Sequence, residues 1–133
     1  MKPESVVTMT HKSRLACFVI DCKADNLDEA ARFWGGALGY PVHRSEEDSR
    51  YAIIETPEDQ PKMLLQAVSH DSRIHLDIET DDKEAEAARL ERLGAKRIAF
   101  IKRWIVMEAP TGHRFCIVNP QRKDFADKAE ERP

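Results

Sequence analysis

Tyr51-Ala52-Ile53-Ile54-Glu55-Thr56-Pro57 returns later in the chain as Trp104-Ile105-Val106-Met107-Glu108-Ala109-Pro110. Both read aromatic, three apolar residues, Glu, a small residue and Pro, and each precedes a further apolar run, over 63–68 and over 114–118. Self-similarity of this kind marks a duplicated unit. Working outward, each copy follows a short strand-like stretch, over 42–44 and 96–101, and before that a helix-like stretch. Each half also opens on a strand: the apolar run Leu15-Ala16-Cys17-Phe18-Val19-Ile20 in the first, the alternating Ile74-His75-Leu76-Asp77-Ile78 in the second. The predicted fold class is α+β, two βαβββ modules over 14–68 and 73–118. Each module has one helix-covered sheet face and a second face that must also be buried, and facing those surfaces together makes a curved-sheet cleft.

The helices have their own signals. Asn26 with Glu29 resembles a capping box, and Leu27, Ala30, Ala31, Phe33, Trp34, Ala37 and Leu38 form a broad apolar helical face that stops at Gly39. Gly35 and Gly36 weaken the last turns and imply a close approach of helix to sheet. In the second half Asp81 or Asp82 caps a helix that carries Ala85, Ala88, Leu90 and Leu93 inward and ends at Gly94. Residues 1–12 read as a flexible N-terminus and 121–133 as a mobile charged tail around one aromatic, Phe125, leaving 13–120 as a single domain.

Composition bounds the function. At 133 residues the chain is large enough to bury a core without metal or disulfide staples. Hydrophobic residues at 41% and charged residues at 34% exclude wholesale disorder, and no apolar run reaches membrane-span length. A net charge of −3 gives no electrostatic pull toward phosphate backbones, so neither nucleic acid nor membrane is expected as a partner. Cys17, Cys22 and Cys116 cannot all pair and show no C-x-x-C spacing, which fits a reducing compartment. No apolar signal segment opens the sequence, so the expected location is cytoplasmic.

Asp21-Cys22 before Ala31-Arg32-Phe33-Trp34, then Ala37-Leu38-Gly39-Tyr40, Arg73-Ile74-His75-Leu76-Asp77-Ile78 and Ala109-Pro110-Thr111-Gly112-His113-Arg114-Phe115-Cys116 occur in that order. Together they resemble the glyoxalase-like branch of the vicinal oxygen chelate superfamily, the glyoxalase/bleomycin resistance/dioxygenase group, over about residues 14–120. That resemblance implies the two-module fold. For function it implies a scaffold shared by isomerases, thiol transferases, ring-cleaving dioxygenases and drug-sequestering proteins. In metal-dependent members it implies ligands on the first and last strands of each half, which fall here on Cys17, Gln66, His75 and Cys116. Only His75 is of the usual ligand type. Gln66 and Cys116 stand where carboxylates would hold a dication.

These positions are candidate ligand-binding residues, with Trp104 as a further pocket-lining aromatic. Cys17 and Cys116 read either as small buried hydrophobes or, with His75, as a soft zinc-binding set. His75 and Asp77 share one strand face by parity, so that face is not ordinary core, and His75 is the candidate general base or hydrogen-bond donor. Asp21 is assigned a structural loop role, His113 a turn role, and Glu55 and Glu108 hairpin-end roles. His11, His43 and His70 receive none.

Three functional readings follow. The first is a small-molecule binding protein, or an enzyme of unassigned chemistry, using a mostly apolar cleft with no cofactor and no standard metal site. The second is a metal-dependent lyase, isomerase or dioxygenase in which a divalent ion such as zinc polarises vicinal oxygens. The third is a regulatory or interaction domain whose sheet serves dimerisation. A homodimer is expected, because two sheets in so short a chain leave edges and apolar surface to cover.

Overall fold

The apolar run around Cys17 lies within β1, His11–Lys23, longer at both ends than the expected strand. The computed structural model describes residues 10–133. They divide into two compact units, Ala16–Asp77 and a second made of the described residues up to Leu15 with Ile78–Pro133.

In the unit Ala16–Asp77, β1 is followed by α1 (Asp28–Leu38), β2 (Val42–Arg44), β3 (Tyr51–Ile54), β4 (Lys62–Val68) and the start of β5 (Arg73–Thr80). The strands lie in the order β2-β3-β4-β1, with β4 parallel to β1 and the other pairs antiparallel. One face packs Ile20, Cys22, Ala52, Ile54 and Leu65 against Leu27, Ala30, Ala31 and Trp34 of the helical segment. The opposite face begins with Cys17 and Val19, packed with Leu64.

Helix α1 departs from its expected details. Asn26 Oδ1 accepts from Asp28 N at 3.0 Å, an Asx turn one residue too early for the expected capping box, and Leu27 occupies the cap position without a side-chain bond. Only one edge of the broad apolar face is used: Phe33 is 61% exposed, and Ala37 and Leu38 are also outside. Gly39 ends the helix as expected, at φ 77° with its N–H on Gly35 O. A side chain on Gly35 would meet Val42 and the Tyr40 carbonyl at 3.1–3.3 Å, so that glycine does permit a close approach.

The second unit carries α2 (Lys83–Arg92), β6 (Lys96–Ile101), β7 (Trp104–Glu108), β8 (Arg114–Val118), α3 (Phe125–Lys128) and β9 (Glu130–Arg132). β6, β7 and β8 form an antiparallel ladder, and Ile105, Met107 and Ile117 pack on Ala87 and Leu90. Asp82 is the cap, its Oδ1 accepting from Ala85 N at 3.0 Å. The inward face of α2 is only partly the expected one: Leu90 packs inward, but Glu86 and Ala87 are the fully buried residues and Leu93 is 66% exposed. The rotation is stabilised by polar pairing, since Glu86 meets Arg89 and His11. His11, given no role from sequence, is a buried partner of that carboxylate.

The mobile tail is likewise corrected. Glu79, fully buried, accepts from Gln121 N at 2.6 Å and Arg122 N at 2.9 Å; Phe125 is buried, Arg14 pairs with Asp124, and β9 pairs antiparallel with β1 at His11–Ser13. Charged residues at 121–133 obscured these specific docking contacts in the sequence. His11 and Lys12, placed in the flexible N-terminus, are in a strand; residues 1–9 lie outside the described residues.

Candidate functional site

Strand parity builds the site in the unit Ala16–Asp77. Residues paired across a ladder point to the same face, and so do residues two apart along a strand. In the register Val19↔Leu64 and Asp21↔Gln66 from β1 to β4, with Tyr51↔Gln66 from β3, the face away from α1 presents Cys17, Val19 and Leu64 at one end. Asp21, Gln66 and Tyr51 follow, and β5 brings His75 to the same carboxylate.

Asp21 is the candidate site residue that sequence reasoning missed. It is not in a loop: it belongs to β1 and is 2% exposed. Its Oδ2 lies 2.9 Å from His75 Nδ1, 3.7 Å from Arg73 Nε and 4.0 Å from His70 Nε2, so His70 also gains a place beside the site. Asp21 Oδ1 is buried with no hydrogen-bond partner among the described residues. The signal was available. Continuing the β1 alternation past Ile20 places Asp21 on the face of Cys17 and Val19, but a polar Asp followed by Cys and Lys looked like a strand end.

The Asp21 carboxylate fixes the imidazole. A carboxylate only accepts, so the 2.9 Å contact places a proton on His75 Nδ1 and sets the ring plane. Nε2 then faces Asp77 Oδ1 at 3.5 Å. An imidazole held this way can accept a proton or a hydrogen bond at Nε2, and neighbouring carboxylates stabilise the imidazolium that results.

Cys17 is fully buried among Ala16, Val19 and Leu64, and its thiol lies 3.4 Å from the Phe18 carbonyl. Gln66 is half-buried on β4. The second unit holds Cys116, half-buried on β8 opposite Val106, and Trp104, half-buried at the start of β7 opposite Ile101. The ligand set implied by family resemblance does not fit a hard dication. Gln66 offers a neutral amide, and the apolar packing around Cys17 opposes the thiolate that ligation requires. Among the other histidines, His113 Nδ1 is 2.7 Å from Thr111 Oγ1 within the turn, and His43 pairs with Glu55 at 3.1 Å. Glu108 meets Arg114 across the β7–β8 hairpin at 3.0 Å.

The sequence model of the glyoxalase-like domain family matches residues 17–118. Methylmalonyl-CoA epimerase from Mycobacterium tuberculosis superposes at TM-score 0.59 with 20% identity, covering 84% of this chain and 91% of that one. A variant of the Streptomyces coelicolor epimerase, in complex with 2-nitronate-propionyl-CoA, does so at 0.56 with 18% identity over 80% and 96%. A Legionella pneumophila protein described as an NAD-dependent benzaldehyde dehydrogenase gives 0.56 with 12% identity over 78% and 99%. At such identities the likenesses speak to fold. No curated protein matches the sequence. The fold is that of a vicinal oxygen chelate protein, α+β with a duplicated strand–helix–strand pattern. The chain belongs to the glyoxalase-like domain family.

Proposed function

We propose that the chain binds a small organic molecule on the face of β1, β4 and β5 in the unit Ala16–Asp77, with His75 as its principal polar contact. The supporting observation is the His75 Nδ1–Asp21 Oδ2 pair at 2.9 Å, beside Gln66 and at the end of an apolar stretch formed by Val19 and Leu64. Apolar contact area supplies affinity, and a few fixed polar groups supply orientation. The test is a titration of protein with isotope-labelled histidine. Probes are a panel of small carbonyl and carboxylate compounds, with methylmalonyl-CoA included because structural neighbours act on it. At least one compound should shift the His75 ring saturably, and His75→Gln should weaken it about tenfold, as one lost hydrogen bond implies. If every compound leaves the His75 ring unmoved, the reading fails.

The Asp21 contact favours a second, enzymatic reading of the same site. His75 Nε2 takes the proton from a carbon adjacent to a carbonyl, the C–H electron pair moves into an enolate, and the proton returns from the imidazolium to that carbon. Asp21 acts as a positioning residue. Incubation of methylmalonyl-CoA in D2O reads this step as loss of the α-proton signal. Exchange no faster than in the His75→Gln variant would leave only binding.

A further inference from the structure

Arg73, His75 and Asp77 are alternate residues of β5 and so share one face of the strand. Side-chain exposure falls along that row from 49% at Arg73 to 14% at His75 and 9% at Asp77, so the row runs from the rim of the site to its floor. Hydrogen-bonding character changes in the same direction. At the rim, Arg73 only donates, and its nearest acceptor is Asp21 Oδ2, 3.7 Å from Nε. That separation is too long for a hydrogen bond, so the carboxylate orients the guanidinium without saturating it, and no described residue bonds Nη1 or Nη2.

The floor has the opposite character. With the ring proton on Nδ1, His75 Nε2 is an acceptor, and beside it at 3.5 Å stands another acceptor, Asp77 Oδ1. The Asp77 side chain is more than nine-tenths buried and takes no hydrogen bond from any described residue. Two buried acceptors side by side call for a donor between them, because burial of a carboxylate without one is costly. We propose that the small molecule bound here is a carboxylic acid with a hydrogen-bond donor, hydroxyl or ammonium, on the neighbouring carbon. Its carboxylate lies on the Arg73 fork at the rim, its donor between His75 Nε2 and Asp77 at the floor, and its carbon skeleton toward Val19 and Leu64. Asp77 repels a carboxylate from the floor, which fixes the direction of binding. Arg73 and His75 both approach the same oxygen, Asp21 Oδ2, so one small acid can span them. This inference rests on the binding reading above and names the ligand class for the same site.

The probes are 2-hydroxy-4-methylpentanoate and 2-amino-4-methylpentanoate. Their methyl esters lack the charge, and 4-methylpentanoate lacks the donor. Each is titrated into full-length protein carrying isotope-labelled histidine. At least one of the two acids should shift the His75 ring saturably and bind about tenfold or more tightly than its ester and than 4-methylpentanoate, since each analogue leaves one end of the row unpaired. Whichever acid binds better tells hydroxyl from ammonium, and either result supports the class. Arg73→Gln, at a half-exposed position, should make acid and ester bind alike, and Arg73→Lys should restore part of the difference. If the ring shifts but acid, ester and donor-free analogue bind equally, the ligand class is wrong and the binding reading stands. If neither these probes nor the broader panel moves the ring, both fall. A proton on both ring nitrogens of His75 in the free protein at neutral pH, read from long-range nitrogen–proton spectra, would supply the missing donor from the imidazole itself and overturn the proposal.

Discussion

Asp21 Oδ2 and His75 Nδ1 stand 2.9 Å apart, joining β1 to β5 through a carboxylate that is almost wholly buried. Because the carboxylate selects the imidazole tautomer, replacing it with an amide of the same shape should change the chemistry of His75 more than the packing around it. Asp21→Asn should keep the fold and redistribute the His75 ring proton, visible in long-range nitrogen–proton spectra. It should also reduce affinity for any compound that contacts His75. An unchanged tautomer in the variant would mean that the surrounding backbone, not Asp21, holds the ring.

Docking of residues 121–133 makes them part of the folding unit. Removing them leaves Glu79 buried with two amide donors lost and uncovers the site of Phe125. The cost is expected at roughly 3 kcal/mol or more, the range for loss of a buried aromatic anchor. Urea denaturation of the chain ending at Pro120 reads this directly. A midpoint equal to that of the full chain would show that the segment contributes nothing to stability.

The fold was legible because it rests on period. The duplicated aromatic-apolar-Glu-Pro stretches occupy β3 and β7, each the middle strand of an antiparallel ladder, and the strand and helix order follows the predicted order from β1 to β8. What escaped the sequence rests on polar pairing across long separations. Glu86 is inward because His11 meets it, Glu79 because the amides at 121 and 122 do, and Asp21 because His75 does. In each case the residue type argued for solvent, and the partner that reversed it lay elsewhere on the chain. The candidate site was half legible: His75 stood out by alternation, whereas Asp21 and His70 required the β1–β5 contact to be seen.

Cys17 separates packing from ligation. Its thiol is fully buried against Val19 and Leu64, so Cys17→Ser places a hydroxyl in an apolar cluster at an expected cost of about 1–2 kcal/mol. Elemental analysis of protein purified without chelator should give the same metal content for wild type and this variant. Parallel loss of a stoichiometric metal in Cys17→Ser, His75→Ala and Cys116→Ser would instead establish the soft ligand set.

Glu86 supplies a prediction about acid. Burial pushes its carboxyl pKa up, but hydrogen bonds from Arg89, His11 and Ser13 outweigh burial and bring it from 4.5 to about 2. A carboxylate whose folded pKa lies below its unfolded one binds fewer protons when folded. It therefore contributes stability that is complete above the unfolded value and lost as pH falls toward the folded one. The window runs from 4.5 down to about 2. Over it the linkage amounts to roughly 3 kcal/mol. Glu86→Gln removes this titration and leaves every other carboxylate in place, so the difference in unfolding free energy between wild type and variant isolates it. That difference, measured by denaturant titration, should be largest at neutral pH, begin to shrink near pH 5 and approach its minimum near pH 2. A gap that stays constant as the solution is acidified would show that Glu86 is not held ionised by Arg89 and His11, and that another interaction turns α2 inward.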